Sequence, residues 1–233
     1  MPITDGSVIP FTGLQRQYNN IREEILNATD TVLRSGILMD GEYTRQFTNW
    51  IANKNRSKYA VLCHSGTQAL EIIALYFSQR IGIQPPKVVI PALTYPATAN
   101  AWIRAGWSVH ILDTDNYGQM DPRKLDPDVS YQAVCLVGLY GQSIWNRWPR
   151  SGDLMIEDAA QHWLSNEGNR HSEAAAISFD PTKNLPNYGN GGAIVTYNRN
   201  LIEFARDQVS NGKYLKHSDV GTNSRMSEVD CAQ

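Results

Sequence analysis

The amino-acid sequence predicts an α/β domain built on a mainly parallel β-sheet. Seven short runs rich in β-branched and other apolar residues follow a helical opening, and segments with apolar residues at helical spacing lie between several of them. Parallel neighbouring strands need crossover connections, which are usually helices, so this alternation favours a parallel sheet. The 233 residues are enough for one large domain with a sizeable core.

The first elements along the chain are two helices. Apolar residues recur at helical spacing over residues 14–33, and the Ser35 and Gly36 that follow are typical of a helix end. A second helical pattern covers residues 43–52, where Phe47 and Ile51 fall on one face.

Beyond these helices, strand patterns and helix patterns alternate. The helical patterns cover residues 66–81, 97–105 and 199–209. The predicted strands lie at 59–63, 87–91, 108–112, 132–138, 153–157, 174–179 and 192–197.

Composition excludes several classes of protein. The net charge of −2 provides no basic surface for nucleic acid or anionic lipid. The three cysteines, Cys63, Cys135 and Cys231, have no paired or metal-like spacing, and the first two lie in apolar runs, so we expect buried free thiols. The N-terminal residues do not form a signal-peptide pattern, and no apolar run reaches transmembrane length. We therefore expect a cytoplasmic protein that binds neither nucleic acid nor membranes.

In parallel sheets, ligands bind at the carboxyl ends of the strands, so residues at those ends are the first candidates for a site. In "CHSGTQAL" a strand passes through Ser65, Gly66 and Thr67 into a helix. The free N–H groups of the first helical turn favour phosphate there, and Gly66 lets an anion approach closely. The alternative is that Ser65 or Thr67 only caps the helix.

A second strand end carries two acids in "LMIEDAAQHW", namely Glu157 and Asp158. These acids could bind a metal ion, pair with a ring nitrogen of a ligand, or lie in a solvated loop. A metal site needs further ligands, and His64, His162 and His171 show no ligand-like spacing with the acids. No metal site is therefore predicted.

Three further segments carry candidate residues. Tyr95 follows a strand and could stack on a planar ligand or pack at the edge of the core. Asn223 and Arg225 lie in a polar loop that alone indicates only a turn and a helix cap. Lys183 is the only lysine between two predicted buried strands, in "SFDPTKNLPNYGNGGAIVT".

Together these segments offer a phosphate cradle, a carboxylate, a stacking aromatic ring and a lysine, most of them at strand ends. Those are the requirements of pyridoxal phosphate (PLP), whose aldehyde forms a Schiff base with a lysine amine. An acid paired with the pyridine nitrogen keeps the ring an electron sink. The residues alone therefore favour Lys183 as a cofactor anchor.

The order of the motifs resembles the DegT/StrS family of PLP-dependent nucleotide-sugar aminotransferases. The resemblance implies the fold type I architecture, a mostly parallel seven-stranded sheet with helices on both faces. The matching segments run in family order across nearly the whole chain: "SGTQAL" (65–70), "PALTYPAT" (91–98), "LYGQ" (139–142), "EDAAQ" (157–161), "SFDPTK" (178–183), "GNGGAI" (189–194) and "NSRMSE" (223–228).

The resemblance implies a role for each matching residue at the cofactor ring. Lys183 bonds to the cofactor and then moves the proton between the donor's α-carbon and the cofactor. Asp158 pairs with the pyridine nitrogen, Tyr95 stacks on the ring, and Gln161 contacts the region of the 3-hydroxyl group. Lysine at 183 points to amino transfer, because the family's sugar 3-dehydratases carry histidine there.

Other residues are implied to bind the phosphate and the substrate. Thr67, Gln68 and Ser178 match the phosphate-binding positions. Asn223 matches a residue that reaches across a dimer interface to the neighbour's phosphate, which implies a homodimer with active sites at the interface. Arg225 lies nearby as a candidate substrate contact.

The implied reaction has two halves. L-glutamate converts the cofactor to pyridoxamine phosphate, and the amine then passes to a keto group of a nucleotide-linked sugar. We expect residues 1–233 to form the PLP-binding large domain, with a helical segment at about 1–55 and without the family's C-terminal small domain. A second departure is Asn190, where the family usually has an acid.

Two classes of function remain open at this point. The intact site residues favour an enzyme, whereas the early end of the chain favours a PLP-binding subunit that does not catalyse transfer alone. A dinucleotide-binding domain is disfavoured, because no Gly-x-Gly-x-x-Gly segment follows a strand.

Overall fold

The computed structural model describes residues 10–144, 148, 153–164, 172–215 and 220–233. The helices are α1 (Leu14–Ser35), α2 (Glu42–Lys54), α3 (Gly66–Ser78), α4 (Pro96–Arg104), α5 (Arg199–Gln208) and α6 (Glu228–Ala232). The strands are β1 (Tyr59–Cys63), β2 (Lys87–Pro91), β3 (Ser108–Leu112), β4 (Ala133–Val137), β5 (Leu154–Asp158), β6 (Ala174–Ser178) and β7 (Gly192–Thr196).

The seven strands form one sheet in the order β1-β7-β6-β5-β4-β2-β3. The pairs β3–β2, β2–β4, β4–β5 and β5–β6 are parallel. Only β7 runs in the opposite direction, and it pairs antiparallel with both β1 and β6. The prediction of a mostly parallel seven-stranded sheet is confirmed.

The predicted strands match the structure to within one residue at each end, whereas two helix boundaries differ. The helix predicted to reach residue 81 ends at Ser78, where the N–H of Arg80 makes the tighter bond to the carbonyl of Phe77, three residues back. The helix predicted to end at residue 52 continues to Lys54. Helix α6 begins at Glu228, where the side chain of Ser227 caps it by accepting from the N–H of Asp230.

Helices cover both faces of the sheet. On one face α3, α4 and α5 pack in a core that includes Trp102 and Ile73, both fully buried. On the other face α2 packs over a second core that includes Ile51 and Phe179. Helix α3 carries apolar side chains on most of its circumference, as expected for a helix enclosed by the sheet and two other helices.

The three cysteines are free thiols, and Cys63 and Cys135 are buried as predicted. Burial raises the pKa of Cys63 to about 12 although its thiol bonds to the carbonyl of Ser65, and burial likewise raises the pKa of Cys135. Both thiols therefore stay protonated at neutral pH. Among the described residues, no helix has the length and apolar character needed to cross a membrane.

One buried carboxylate joins α6 to the start of α2. Glu228 of α6 accepts hydrogen bonds from the backbone N–H groups of Gly41, Tyr43 and Thr44 at distances of 2.9, 2.5 and 3.1 Å. The hydroxyl of Thr44 also donates to this carboxylate. The side chain thus satisfies the free N–H groups at the start of α2, where a negative charge is also favoured by the helix dipole.

We expect Glu228→Ala to lower the free energy of unfolding by about 2–4 kcal/mol, because it leaves several buried donors without an acceptor. Glu228→Gln keeps the shape and one acceptor oxygen and should cost less. Urea unfolding followed by circular dichroism measures both changes.

The control for this prediction is Glu203→Ala, which removes an exposed ion pair with Arg199 on one helix. Its unfolding midpoint should stay at the wild-type value. A Glu228→Ala midpoint as high as that of the control would contradict the capping role.

Candidate active site

A cavity of about 640 Å³ lies at the edge of the sheet where the strands β1, β2, β4, β5 and β6 end and β7 begins. This volume lies within the ordinary range for small-ligand sites. The reversed direction of β7 brings the segment before it to the same edge. The lining side chains with chemical functions are His64, Ser65, Thr67, Thr94, Tyr95, Asp158, Gln161, Ser178, Asp180, Thr182, Lys183 and Asn190.

The N-terminus of α3 forms one wall of the cavity. The side chain of Ser65 accepts from the N–H of Gln68 at 3.1 Å, so Ser65 caps the helix. Gly66 and Thr67 come before the first intrahelical hydrogen bond, and both line the cavity. The capping interpretation and the phosphate interpretation are therefore compatible, because the cap uses one N–H group and leaves those before it for an anion.

Ser178 of β6 faces this helix start at very short range. A Cβ atom at Gly66 would lie only 2.8 Å from the Cβ of Ser178 and 3.3 Å from the carbonyl oxygen of Ile177. Glycine at 66 therefore permits the close approach of Ser178 to the start of α3. The hydroxyl of Ser178 accepts from the N–H of Asp180 at 3.3 Å.

Asp158, the last residue of β5, is held from two sides. Its Oδ2 accepts the hydroxyl of Thr98 at 2.7 Å, and its Oδ1 accepts the N–H of Ala160 at 3.2 Å. The side chain is 7% exposed, yet it lines the cavity. A buried carboxylate of this kind requires partners, and the cavity side is where a cationic or N–H partner fits.

The neighbouring acid, Glu157, points to the opposite face of the sheet. It is buried beside His162, with 3.4 Å between Oε2 and Nε2. The described residues contain no cluster of potential ligands that could hold a metal ion, and His171 lies outside the described residues.

The side chain of Gln161 is oriented by an unusual backbone conformation. Its Oε1 accepts the N–H of Tyr140 at 2.5 Å, and Tyr140 has a φ of +57°, which non-glycine residues rarely adopt. Gln161 also lines the cavity, and its amide NH₂ group is the donor that this side chain can offer to a ligand. The backbone carbonyl of Gln161 accepts a hydrogen bond from the side-chain amide of Asn184 at 2.9 Å.

Lys183 lies on the loop between β6 and β7 and lines the cavity. Its N–H donates to the carbonyl of Asp180 at 2.9 Å, which closes a short turn. Partial burial would raise the pKa of the Asp180 carboxyl, but hydrogen bonds from the hydroxyl and N–H of Thr182 outweigh it and lower that pKa. A carboxylate that stays ionised thus stands three residues from the lysine.

Tyr95 follows β2 at the mouth of the cavity and is 69% exposed. Its ring is not packed in the core, so it is available to stack on a planar ligand. Of the two interpretations of Tyr95 from the sequence, this geometry favours stacking.

Three of the predicted site residues do not line the cavity. Gln68 contributes a backbone N–H to the helix cap. Asn223 is exposed and forms an isolated β-bridge with Ser210. Arg225 forms an ion pair with Asp40 at 2.5 Å and lines a separate groove.

Two hydroxyl groups in the site had no signal in the sequence. Thr94 lines the cavity, and Thr98 is completely buried against Asp158. Both threonines flank the predicted stacking residue in "LTYPAT", but only the fold brings them to a carboxylate sixty residues away.

The residues present fit pyridoxal phosphate. The start of α3 and Ser178 pack closely together and both line the cavity, so backbone N–H groups and a hydroxyl are available to a phosphate there. A buried carboxylate, an amide donor, an exposed aromatic ring and a lysine amine share one cavity of suitable size.

The model of the DegT/DnrJ/EryC1/StrS aminotransferase family matches residues 19–233. A protein of Geobacillus stearothermophilus named pleiotropic regulatory protein is 33% identical over 96% of this chain and 63% of its own length. The UDP-2-acetamido-2-deoxy-3-oxo-D-glucuronate aminotransferase of Pseudomonas aeruginosa is 32% identical over 97% of this chain and 66% of its own length.

Solved structures of similar proteins have the same fold as this chain. DesV of S. venezuelae superposes with a TM-score of 0.84 at 31% identity, over 96% of this chain and 63% of that one. NtdA of Bacillus subtilis, with its cofactor PMP bound, gives a TM-score of 0.84 at 27% identity, over 98% of this chain and 55% of that one. The chain thus spans less than two thirds of the length of each of these four proteins.

We expect Gly66→Ala to weaken PLP binding, because the added methyl group must push α3 away from Ser178. Overpacking of this kind also lowers stability by about 1–3 kcal/mol. Equilibrium titration with PLP and urea unfolding measure the two effects.

The matched control is Gly82→Ala, because Gly82 is exposed and nothing lies within 4 Å of the added Cβ. Equal PLP affinity in the two variants would show that the helix start does not bind the phosphate.

Proposed function

The chain belongs to the DegT/DnrJ/EryC1/StrS aminotransferase family, and we propose that it is a PLP-dependent aminotransferase acting on a nucleotide-linked sugar. L-glutamate is the proposed amino donor, and the acceptor is a keto group on the sugar. The observation that carries the proposal is the convergence of Lys183 and Asp158 on one cavity that also contains the start of α3.

Bound PLP supplies an aldehyde for the lysine amine and a ring that withdraws electrons from the substrate's α-carbon. Lys183 holds the cofactor through its Nζ atom. The same amine, when not bonded to the cofactor, would be the base that takes the α-proton of the substrate and the acid that returns it. One side chain thus serves as anchor and as proton carrier.

Asp158 has the complementary task at the far side of the ring. Its carboxylate is buried and fixed at both oxygens, so it can hold a proton on the pyridine nitrogen without moving. That fixed negative charge keeps the ring cationic and therefore electron-withdrawing. Tyr95 covers the ring face, and the NH₂ group of Gln161 donates to the oxygen on the ring.

The phosphate is proposed to lie at the start of α3, bound by the N–H groups of Gly66 and Thr67 and by the hydroxyl of Ser178. Gln68 contributes by holding the cap of the helix. These contacts would hold the phosphate in both halves of the reaction.

We further propose a homodimer in which Asn223 reaches the phosphate of the partner's site. Its exposure and its position outside its own cavity support this role. Arg225 lies on the same segment and is the proposed substrate contact there. The sugar substrate is supported by the names of the relatives, such as the UDP-sugar aminotransferase of Pseudomonas aeruginosa.

The central prediction concerns the visible spectrum. The protein with PLP should show an absorption band from the lysine-bound cofactor, and L-glutamate should bleach it. Lys183→Ala should never show this band and should lose the glutamate reaction completely, because no other side chain replaces Nζ.

Lys124→Ala is the control, since Lys124 pairs with Asp113 outside the cavity. It should behave as wild type. A wild-type band that no amino donor bleaches would refute the aminotransferase proposal, and the absence of any band would refute the cofactor site itself.

A further inference from the structure

Three side chains form a continuous chain of hydrogen bonds from the mouth of the cavity to the buried acid. The hydroxyls of Thr94 and Thr98 lie 2.7 Å apart, and the hydroxyl of Thr98 lies 2.7 Å from Oδ2 of Asp158. Thr94 lines the cavity, whereas Thr98 is completely buried.

The chemistry of the groups fixes the direction of these bonds. An ionised carboxylate accepts hydrogen bonds only, so the one hydroxyl proton of Thr98 goes to Asp158. The oxygen of Thr98 then receives the proton of Thr94. Thr94 has no proton left and offers only lone pairs to the cavity.

These bonds connect two structural elements that contact the proposed cofactor from different directions. Thr94 immediately precedes Tyr95, which is proposed to stack on the ring face, and Thr98 lies in the first turn of α4. Asp158 meets the ring edge from β5. The two hydroxyls are therefore a direct polar link between the stacking loop and the ring-nitrogen acid.

The bond to Thr98 also decides how firmly Asp158 is oriented. Within the described part of the chain, the other hydrogen bond to its carboxylate is the longer one of 3.2 Å from Ala160, two residues away on the same segment. The hydroxyl of Thr98 is thus the carboxylate's tie to a separate element of the fold. Loss of that hydroxyl would leave a buried carboxylate with one weak contact and freedom to turn about its Cβ–Cγ bond.

We propose that Thr98 is a positioning residue for Asp158, and that Thr94 and Thr98 form a hydroxyl relay that fixes the acid relative to the stacking loop. This inference rests on the proposed PLP function. These hydrogen bonds orient the carboxylate towards the ring nitrogen in the cofactor-free protein. PLP binding therefore costs less conformational entropy, because the carboxylate is already ordered.

The test compares Thr98→Val, which replaces the hydroxyl by a methyl group, with Thr98→Ser, which keeps the hydroxyl. The equilibrium dissociation constant for PLP is measured by absorption titration, and the pH midpoint of the visible band is measured in each loaded protein. Thr98→Val should bind PLP about tenfold more weakly and shift the midpoint, as expected for one hydrogen bond to a charged group. Thr98→Ser should stay within about threefold of wild type, and Thr94→Val should fall between the two.

A double-mutant cycle with Asp158→Ala separates positioning from packing. If Thr98 acts through the acid, Thr98→Val costs no further affinity once the carboxylate is gone. Thr48→Val is the matched control, because the hydroxyl of Thr48 bonds to a helix carbonyl in α2, outside the cavity. Urea unfolding of the cofactor-free proteins verifies that each variant is folded. If Thr98→Val does not fold, the PLP affinities of Thr94→Val and Thr98→Ser are compared instead.

The outcomes are distinct. Wild-type affinity and midpoint in Thr98→Val, or an equal loss with and without Asp158, would overturn the relay and leave the proposed function standing. A wild-type protein that binds no PLP would overturn both. Weaker binding in Thr98→Val, rescue in Thr98→Ser and no further loss without Asp158 would support the relay.

Discussion

The close approach of α3 to the strands β6 and β7 is the contact on which the rest of the site depends. At Gly192 an added Cβ atom would lie 2.3 Å from the carbonyl carbon of Ser65, and at Gly66 one would lie 2.8 Å from Ser178. Two glycines thus let the backbone of a helix start rest directly on two strands. The N-terminal end of the helix is thereby set against the strand that carries Ser178, and Lys183 follows five residues later on the loop after that strand.

The remaining parts of the site are held by hydrogen bonds between distant segments. The N–H of His64 donates to the carbonyl of Ser224 at 2.7 Å, so the turn before α3 is tied to the segment that carries Asn223 and Arg225. Glu228, a few residues further, caps α2. The C-terminal segment is therefore bonded both to the turn before α3 and to the start of α2.

The sequence predicts the fold closely because its strands are short, apolar and separated by clear helical patterns. The residues of the site follow from strand ends and motif order, and six of them line the cavity together with Gly66. The sequence could not predict the contacts that orient these residues. Thr98 and Tyr140 meet Asp158 and Gln161 only through the order of the strands, and the φ of +57° at Tyr140 has no local signal in a non-glycine residue. Asn223 and Arg225 lie outside the cavity, and the ion pair of Arg225 with Asp40 likewise joins segments far apart in the sequence.

The antiparallel strand β7 has a consequence for the order in which the site assembles. Ser178 and Gly192 are paired across β6 and β7, so the lysine loop is closed by a hairpin between neighbouring strands. The N–H of Phe179 also bonds to the carbonyl of Gly191. Such local pairs form early because little chain entropy opposes them, whereas the pairing of β1 with β7 joins segments more than a hundred residues apart. The loop of Lys183 can therefore take its shape in a folding chain before the cavity that gives the lysine its chemistry exists.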